Sequence, residues 1–208
     1  MKFANHYLLA SILLVFFLGP IGFDYGLLSV TNLEILFLSI LIFSIFLHEH
    51  NSKLFKLTII SLLLILINIL FFDFNQSIFQ YFLKIFIVSI TIIELFKEII
   101  KTKTIDFHIV SSTISIYILI GVFWYLLYML LIMIDPDSFY IRNFNQELIS
   151  IDMIYFSFTT LTTLGYGDIT PVSYTAKMWS ITEAMIGVMF LAVMIGRVVS
   201  LYSPKKKN

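Results

Sequence analysis

The sequence contains no cysteine, which excludes disulfide bonds, thiolate metal sites and cysteine nucleophiles. It also carries little charge: Asp, Glu, Lys and Arg make up only 12% of its 208 residues, and the formal net charge is zero. This balance provides no basic surface for nucleic acid, so we expect no nucleic-acid partner. The few charged residues are informative mainly through their positions along the chain.

Apolar residues, in contrast, make up 60% of the sequence, and the mean hydropathy is +0.99. This apolar fraction exceeds that of a typical soluble domain. A helix needs roughly 20 mostly apolar residues to cross a bilayer. Six segments meet this requirement: His6–Phe23, Leu27–Leu47, Leu54–Phe72, Ile78–Ile100, Ile109–Ile134 and Thr175–Tyr202. We therefore predict an all-α protein of the cell membrane, surrounded by lipid.

The first apolar segment has an alternative interpretation as a secretory signal, because Met1 and Lys2 precede an apolar run. The run ends in Gly19-Pro20-Ile21-Gly22-Phe23, which lacks a small-x-small cleavage site, and further spans follow. A retained first helix is the simpler interpretation.

Basic residues indicate the orientation, because they concentrate in cytoplasmic loops. Six crossings place most of them on one side: Lys2, Lys53, Lys56, Lys97, Lys101, Lys103, Arg197 and Lys205-Lys206-Lys207. The other side carries Asp24, Asp73, Asp135, Asp137, Glu147 and Asp168, with Arg142 and Lys177 as basic exceptions. We therefore expect both termini to lie in the cytoplasm.

The interval from Asp135 to Tyr174 is too long for a simple connection, and it contains the apolar segment Ile151–Thr162. At about 1.5 Å of rise per residue, this segment is too short to cross the bilayer. We predict a half-helix that enters the membrane and returns. Ser150 and Asp152 are suitable residues for its cap and its first turn.

The half-helix is followed by Thr163-Leu164-Gly165-Tyr166-Gly167-Asp168. This segment resembles the pore signature of potassium channels, whose usual core is Thr-Val-Gly-Tyr-Gly. The resemblance implies a selectivity filter at Thr163, Leu164, Gly165, Tyr166 and Gly167, with K+ bound at the first four of these residues. On this interpretation K+ is the permeant ion, and we expect no cofactor. Leu164 stands where valine is commoner, but its carbonyl is unchanged, so we expect selectivity to be kept.

The chemistry of ion binding explains these residue types. A ring of backbone carbonyls can replace the hydration shell of K+ when four chains converge on one axis, which predicts a homotetramer. Aligned carbonyls require unusual backbone angles, and Gly165 and Gly167 can adopt positive φ. The Thr163 hydroxyl adds an oxygen at the inner end of the filter, and we expect the Tyr166 ring to point away from the axis.

The resemblance also implies a domain organisation. Residues 105–202 form a pore domain of outer helix, half-helix, filter and inner helix, residues 1–104 form a four-helix domain, and residues 203–208 form a basic tail. This order is similar to that of voltage-gated channels. Voltage sensing needs several basic residues, each worth about 2.3 kcal/mol per 100 mV. The fourth span offers Lys84 and Lys97, opposed by Glu94, so we expect no steep voltage dependence.

Two residues of the last span are candidates for special roles. Gly187 matches the position of a gating hinge in such channels, although close helix packing explains a glycine equally well. An acidic side chain such as that of Glu183 has a high free energy inside a span. We expect Glu183 to hydrogen-bond the half-helix at Thr159 or Thr160. The alternative is a side chain that reaches water at the headgroups. The residues expected to support the filter are Thr159, Thr162, Asp168 and Glu183.

Two other functions remain open: a weakly selective cation channel, and a non-conducting membrane sensor or accessory subunit. Enzymatic activity is not expected, because the sequence has no nucleotide-binding loop, no zinc motif and no convergent acid–base residues outside the membrane.

Overall fold

The computed structural model describes residues 2–25, 40–42, 52–71, 78–102, 107–142, 145 and 148–202. Its helices are α1 (Lys2–Asp24), α2 (Ser52–Phe71), α3 (Ile78–Lys101), α4 (Phe107–Ile134), α5 (Ile149–Leu161) and α6 (Tyr174–Tyr202). A 3₁₀ turn (Pro136–Ser138) and two short strands, β1 (Phe139–Ile141) and β2 (Ile169–Pro171), complete the elements. The prediction of an all-α membrane protein is confirmed.

Five of the six predicted spans correspond to helices α1, α2, α3, α4 and α6. The second, Leu27–Leu47, lies outside the described residues except for 40–42, which are helical. Within the described ranges, four helices are long and apolar enough to cross a membrane, over Asn5–Gly22, Ile78–Lys101, Phe107–Ile134 and Tyr174–Arg197. The described apolar part of α2, Phe55–Ile67, is shorter.

Helix α4 is the centre of the packing, because α1, α3, α5 and α6 all contact it. Its sequence is apolar on every side, as expected of a helix enclosed by others, and 61% of its apolar stretch is buried. Only 22% of the corresponding stretch of α6 is buried. Its exposed apolar side chains include Met185, Met189 and Ile195. Lipid or another protein surface must cover this face of α6.

The two strands connect the segment after α4 to the segment before α6. They pair antiparallel, with Tyr140 opposite Thr170. The Ser138 carbonyl accepts hydrogen bonds from the backbone N–H groups of Val172 (2.8 Å) and Ser173 (3.2 Å). These bonds hold the chain on both sides of α5 in one place.

A polar contact joins the N-terminal helices to the start of α4. The Asn5 side-chain amide in α1 donates to Glu98 Oε2 of α3 at 2.8 Å and to Ser112 Oγ of α4 at 2.6 Å. His108 Nε2 lies 3.5 Å from the other Glu98 oxygen. Three helices therefore meet around one carboxyl group.

A second contact joins α3 to α6. Arg197 Nη2 donates to the carbonyl oxygens of Ile99 (2.6 Å), Ile100 (2.8 Å) and Thr102 (2.9 Å). Carbonyls at the end of a helix lack intrahelical partners, and a positive charge there complements the helix dipole. Arg197 thus caps α3 from a different helix.

Candidate ion-binding site

Helix α5 is the predicted half-helix, and its 13 residues lie between α4 and α6. It begins at Ile149, two residues before the predicted start. The prediction of Ser150 as the cap is wrong: the N-cap position is Leu148, without a side-chain hydrogen bond, and Ser150 lies inside the helix. Asp152 occupies the first turn as predicted, where a negative charge complements the positive end of the helix dipole.

The backbone that follows α5 alternates in conformation. Thr163, Gly165 and Gly167 have positive φ, at 61°, 52° and 81°, and within the described ranges Thr163 is the single non-glycine residue of this kind. A positive φ at every second residue is compatible with successive peptide units turned so that neighbouring carbonyls face one side. A row of carbonyls on one side of the strand is the arrangement that K+ coordination requires.

The positive φ of the two glycines was expected, but that of Thr163 was missed. An L-residue in this conformation costs roughly 1–2 kcal/mol, so its surroundings must impose it. The Thr163 N–H donates to the Thr160 carbonyl at 2.9 Å, at the end of α5. The spacing of two residues between Gly165 and Gly167, extended backwards, was the signal that could have identified Thr163.

The segment from Thr163 to Gly167 is called the filter strand, or simply the strand, below. Most of its side-chain surface is uncovered within one chain. The side chains of Leu164 and Tyr166 are 61% and 68% exposed, and a Cβ added at Gly165 or Gly167 would have no neighbour within 4 Å. The Tyr166 ring stacks on the Tyr155 ring of α5 with a centroid distance of 6.3 Å and an interplanar angle of 3°. The strand is therefore supported on one side, by its own half-helix.

Thr159 and Thr162 were both predicted to support the filter. The carbonyl of Thr159 accepts hydrogen bonds from the N–H groups of Leu164 (2.8 Å) and Gly165 (3.2 Å), so this residue fastens the strand through its backbone. The Thr162 hydroxyl donates to the Phe158 carbonyl at 2.6 Å, within the end of α5. Its side chain is bonded to the helix and not to the strand.

The outer end of the strand is attached to α5 through Asp168. Its Oδ2 accepts a hydrogen bond from the Tyr155 hydroxyl at 2.8 Å, and its Oδ1 accepts one from the Ile169 N–H at 3.1 Å. Its carbonyl accepts a third from the Arg142 N–H at 3.2 Å. Asp168 was predicted as a support; Tyr155 was not, because an aromatic residue on an apolar half-helix gave no separate signal.

Glu183 makes the predicted contact with the half-helix, but at a different residue. It is fully buried, and its Oε1 lies 2.6 Å from Ser157 Oγ, while its Oε2 lies 2.6 Å from the Tyr128 hydroxyl. The predicted partners, Thr159 and Thr160, are therefore wrong, and so is the alternative of a side chain in headgroup water.

The reason lies in which face of α5 is turned towards its neighbours. Met153, Ser157 and Leu161 are four residues apart and all buried, so they form one stripe of the helix. Leu161, in this stripe, also approaches Gly187: a Cβ added at Gly187 would overlap the Leu161 carbonyl oxygen. Close packing thus explains this glycine, and the hinge stays a prediction.

Residues 112–203 match a family model described as "Ion channel". Two-pore potassium channel 2 of Arabidopsis thaliana is 31% identical over 107 residues, which are 51% of this chain and 22% of that protein. Two-pore potassium channel 4 of the same plant is 46% identical over 50 residues, 24% of this chain and 18% of that protein.

Two pore potassium channel a of Oryza sativa subsp. japonica is 28% identical over 111 residues, 53% of this chain and 29% of that protein. The chain thus spans less than a third of the length of each of these curated relatives. No solved structure matches the chain.

Proposed function

We propose that four copies of the chain form a pore that conducts K+ passively and selectively across the membrane. The match of residues 112–203 to the ion channel family model and the similarity to two-pore potassium channels support this proposal. The observation that carries this proposal is the alternating backbone of Thr163, Gly165 and Gly167. It is compatible with neighbouring carbonyls that face one side, which would provide oxygen ligands in place of the hydration shell of the ion. The side chains hold this backbone in position and do not bind the ion, apart from the Thr163 hydroxyl.

A fourfold assembly follows from what one chain lacks. One strand of carbonyls is a quarter of the coordination shell, and closed rotational symmetry is the simplest way to repeat it around an axis. The uncovered side chains of Leu164 and Tyr166 and the exposed face of α6 support this assembly, because they are the surfaces that other copies would cover. The ends of the four α5 helices, with their negative dipole ends, would then face the ion below the filter.

The N-terminal helices do not have the charge pattern of a voltage sensor. Helix α3 carries Lys84, Lys97 and Lys101 but also Glu94 and Glu98, and Lys97 pairs with Glu94 at 2.9 Å. One excess positive charge is far fewer than the several that a steep response to voltage requires. We therefore propose a channel without steep voltage dependence, with both termini in the cytoplasm.

The test is to purify the chain, reconstitute it in planar bilayers and measure reversal potentials in opposed K+ and Na+ gradients. We expect a reversal potential near that of K+. A reversal potential near zero would favour the weakly selective cation channel, and silent bilayers containing well-folded tetramers would favour the accessory subunit. A chain that is monomeric in lipid would contradict the proposed tetrameric pore.

A matched pair of glycine variants tests the filter itself. An added Cβ has open space at both Gly165 and Gly196, but only Gly165 has positive φ. We expect Gly165→Ala to abolish K+ selectivity, because alanine resists this backbone conformation, and Gly196→Ala to conduct like the wild type. Equal currents from the two variants would contradict a carbonyl filter at this position.

A further inference from the structure

The buried carboxyl group of Glu183 lies in a group of oxygens whose hydrogen atoms can be counted. Ser157 Oγ lies 2.7 Å from the Gly121 carbonyl oxygen and 2.6 Å from Glu183 Oε1. The Tyr128 hydroxyl lies 2.6 Å from Glu183 Oε2. All three distances are those of full O–H···O hydrogen bonds. Three hydrogen atoms are therefore needed between these four groups.

Serine and tyrosine provide two hydrogen atoms, and the carbonyl of Gly121 provides none. The Gly121 oxygen can only accept, so the Ser157 hydroxyl must donate to it; otherwise two oxygens would face each other at 2.7 Å without a hydrogen between them. Ser157 then acts as the acceptor in its contact with Glu183. The missing donor is a protonated carboxyl oxygen of Glu183.

The surroundings of Glu183 lead to the same assignment independently. Its side chain is fully buried, and none of the ion pairs between described residues includes it. Burying an ionised carboxylate without a cationic partner in a low-dielectric interior costs much free energy, so such a group is protonated instead. The two hydroxyl groups at 2.6 Å are sufficient partners for a neutral acid.

We propose that Glu183 is a neutral carboxylic acid that donates a hydrogen bond to Ser157 and thereby positions the half-helix. The hydrogen bonds then run in one direction, from Tyr128 to Glu183, from Glu183 to Ser157, and from Ser157 to the Gly121 carbonyl. They link α4, α5 and α6 in one series. Glu183 acts on the filter only through α5, and this role rests on the proposed channel function.

Infrared difference spectroscopy of the purified protein tests the protonation state directly. Subtracting the spectrum of Glu183→Gln from that of the wild type at neutral pH is expected to leave the C=O stretch of a carboxylic acid, which shifts in D2O. Glu94→Gln is the matched control, because Glu94 pairs with Lys97 at 2.9 Å; its subtraction should leave carboxylate bands alone. A wild-type minus Glu183→Gln spectrum with only carboxylate bands would overturn the proposal.

Rescue by a conservative variant tests the positioning role. Glutamine at position 183 can donate through its amide nitrogen to Ser157 and accept from Tyr128 through its oxygen, so the direction of the series is kept. We expect Glu183→Gln to keep the thermal stability and K+ selectivity of the wild type, and Glu183→Ala to lose both. Glutamine behaving like alanine, or alanine behaving like wild type, would overturn the role.

The two tests separate this inference from the proposed function. The infrared bands and the thermal stability do not depend on conduction. An acid band in a protein without K+ current would count against the channel alone, whereas K+-selective current without an acid band would count against the neutral Glu183 alone.

Discussion

Polar side chains attach α5 to its surroundings at two places, and these attachments differ in burial. The inner attachment consists of Glu183, Ser157 and Tyr128, all of which are fully buried. The outer attachment joins Tyr155 to Asp168, and the Tyr155 side chain is exposed. Water can replace a lost partner at the outer attachment but not at the inner one. The inner attachment should therefore determine whether the domain folds, and the outer one how the strand behaves once it is folded.

The largest effect on stability is expected from Ser157→Ala. The substitution removes the Ser157 hydroxyl from Oε1 of Glu183 and from the Gly121 carbonyl, while Tyr128 still contacts Oε2. A buried polar group left unsatisfied costs about 1–3 kcal/mol. The unfolding temperature of the protein in detergent should fall clearly. Thr182→Ala is the control, because the exposed Thr182 hydroxyl donates only within its own helix, to the Met178 carbonyl at 2.8 Å. Similar decreases in unfolding temperature for both variants would show that the inner attachment stabilises the protein no more than an exposed hydroxyl does.

A smaller loss is expected from Gly187→Ala, which forces α6 away from α5 at the overlap with the Leu161 carbonyl. Overpacking of this kind costs typically about 1–3 kcal/mol. The displacement should also lengthen the contact between Glu183 and Ser157. Combining Gly187→Ala with Ser157→Ala should therefore give less than the sum of the two losses in unfolding free energy. Strict additivity would mean that the glycine contact and the inner attachment are independent.

The smallest effect on stability, below about 1 kcal/mol, is expected from Tyr155→Phe, because the lost hydrogen bond is exposed. Its effect should appear in the current instead. Without the Tyr155 hydroxyl, Asp168 loses one of its three hydrogen bonds, and the outer end of the strand is freer to move. We expect K+ currents that decline faster during sustained recording. Tyr140→Phe, at an exposed tyrosine of β1, is the control. K+ currents that decline at the same rate in both variants would show that the outer attachment does not influence the strand.

The sequence predicted features that depend on residue type or on periodicity. The half-helix followed from the length of an apolar segment, and the positive φ of Gly165 and Gly167 followed from the freedom of glycine. The conformation of Thr163 could not be read in the same way. Its φ is imposed by its surroundings, including the hydrogen bond to the Thr160 carbonyl. Threonine does not favour a positive φ, so the residue type could not predict it.

Pairings between helices were harder to predict than the helices themselves. That Glu183 would contact the half-helix followed from the cost of a carboxyl group inside a span. Which residue it contacts depends on the rotation of α5 about its axis, and the stripe of Met153, Ser157 and Leu161 is visible only in the packed structure. The contact of Asn5 with Glu98 has the same origin, because hydropathy locates spans but does not pair them.

Arg197 adds a direct contact between α3 and α6, two helices that also both pack against α4. Its guanidinium holds the last carbonyls of α3, so the inner helix cannot swing at this level without breaking three hydrogen bonds or dragging α3 along. If the proposed pore opens by a movement of α6, α3 would resist that movement through these bonds. A stimulus that tilts α3, whether membrane tension or the docking of another molecule, would then reach α6 directly through Arg197 as well as through α4.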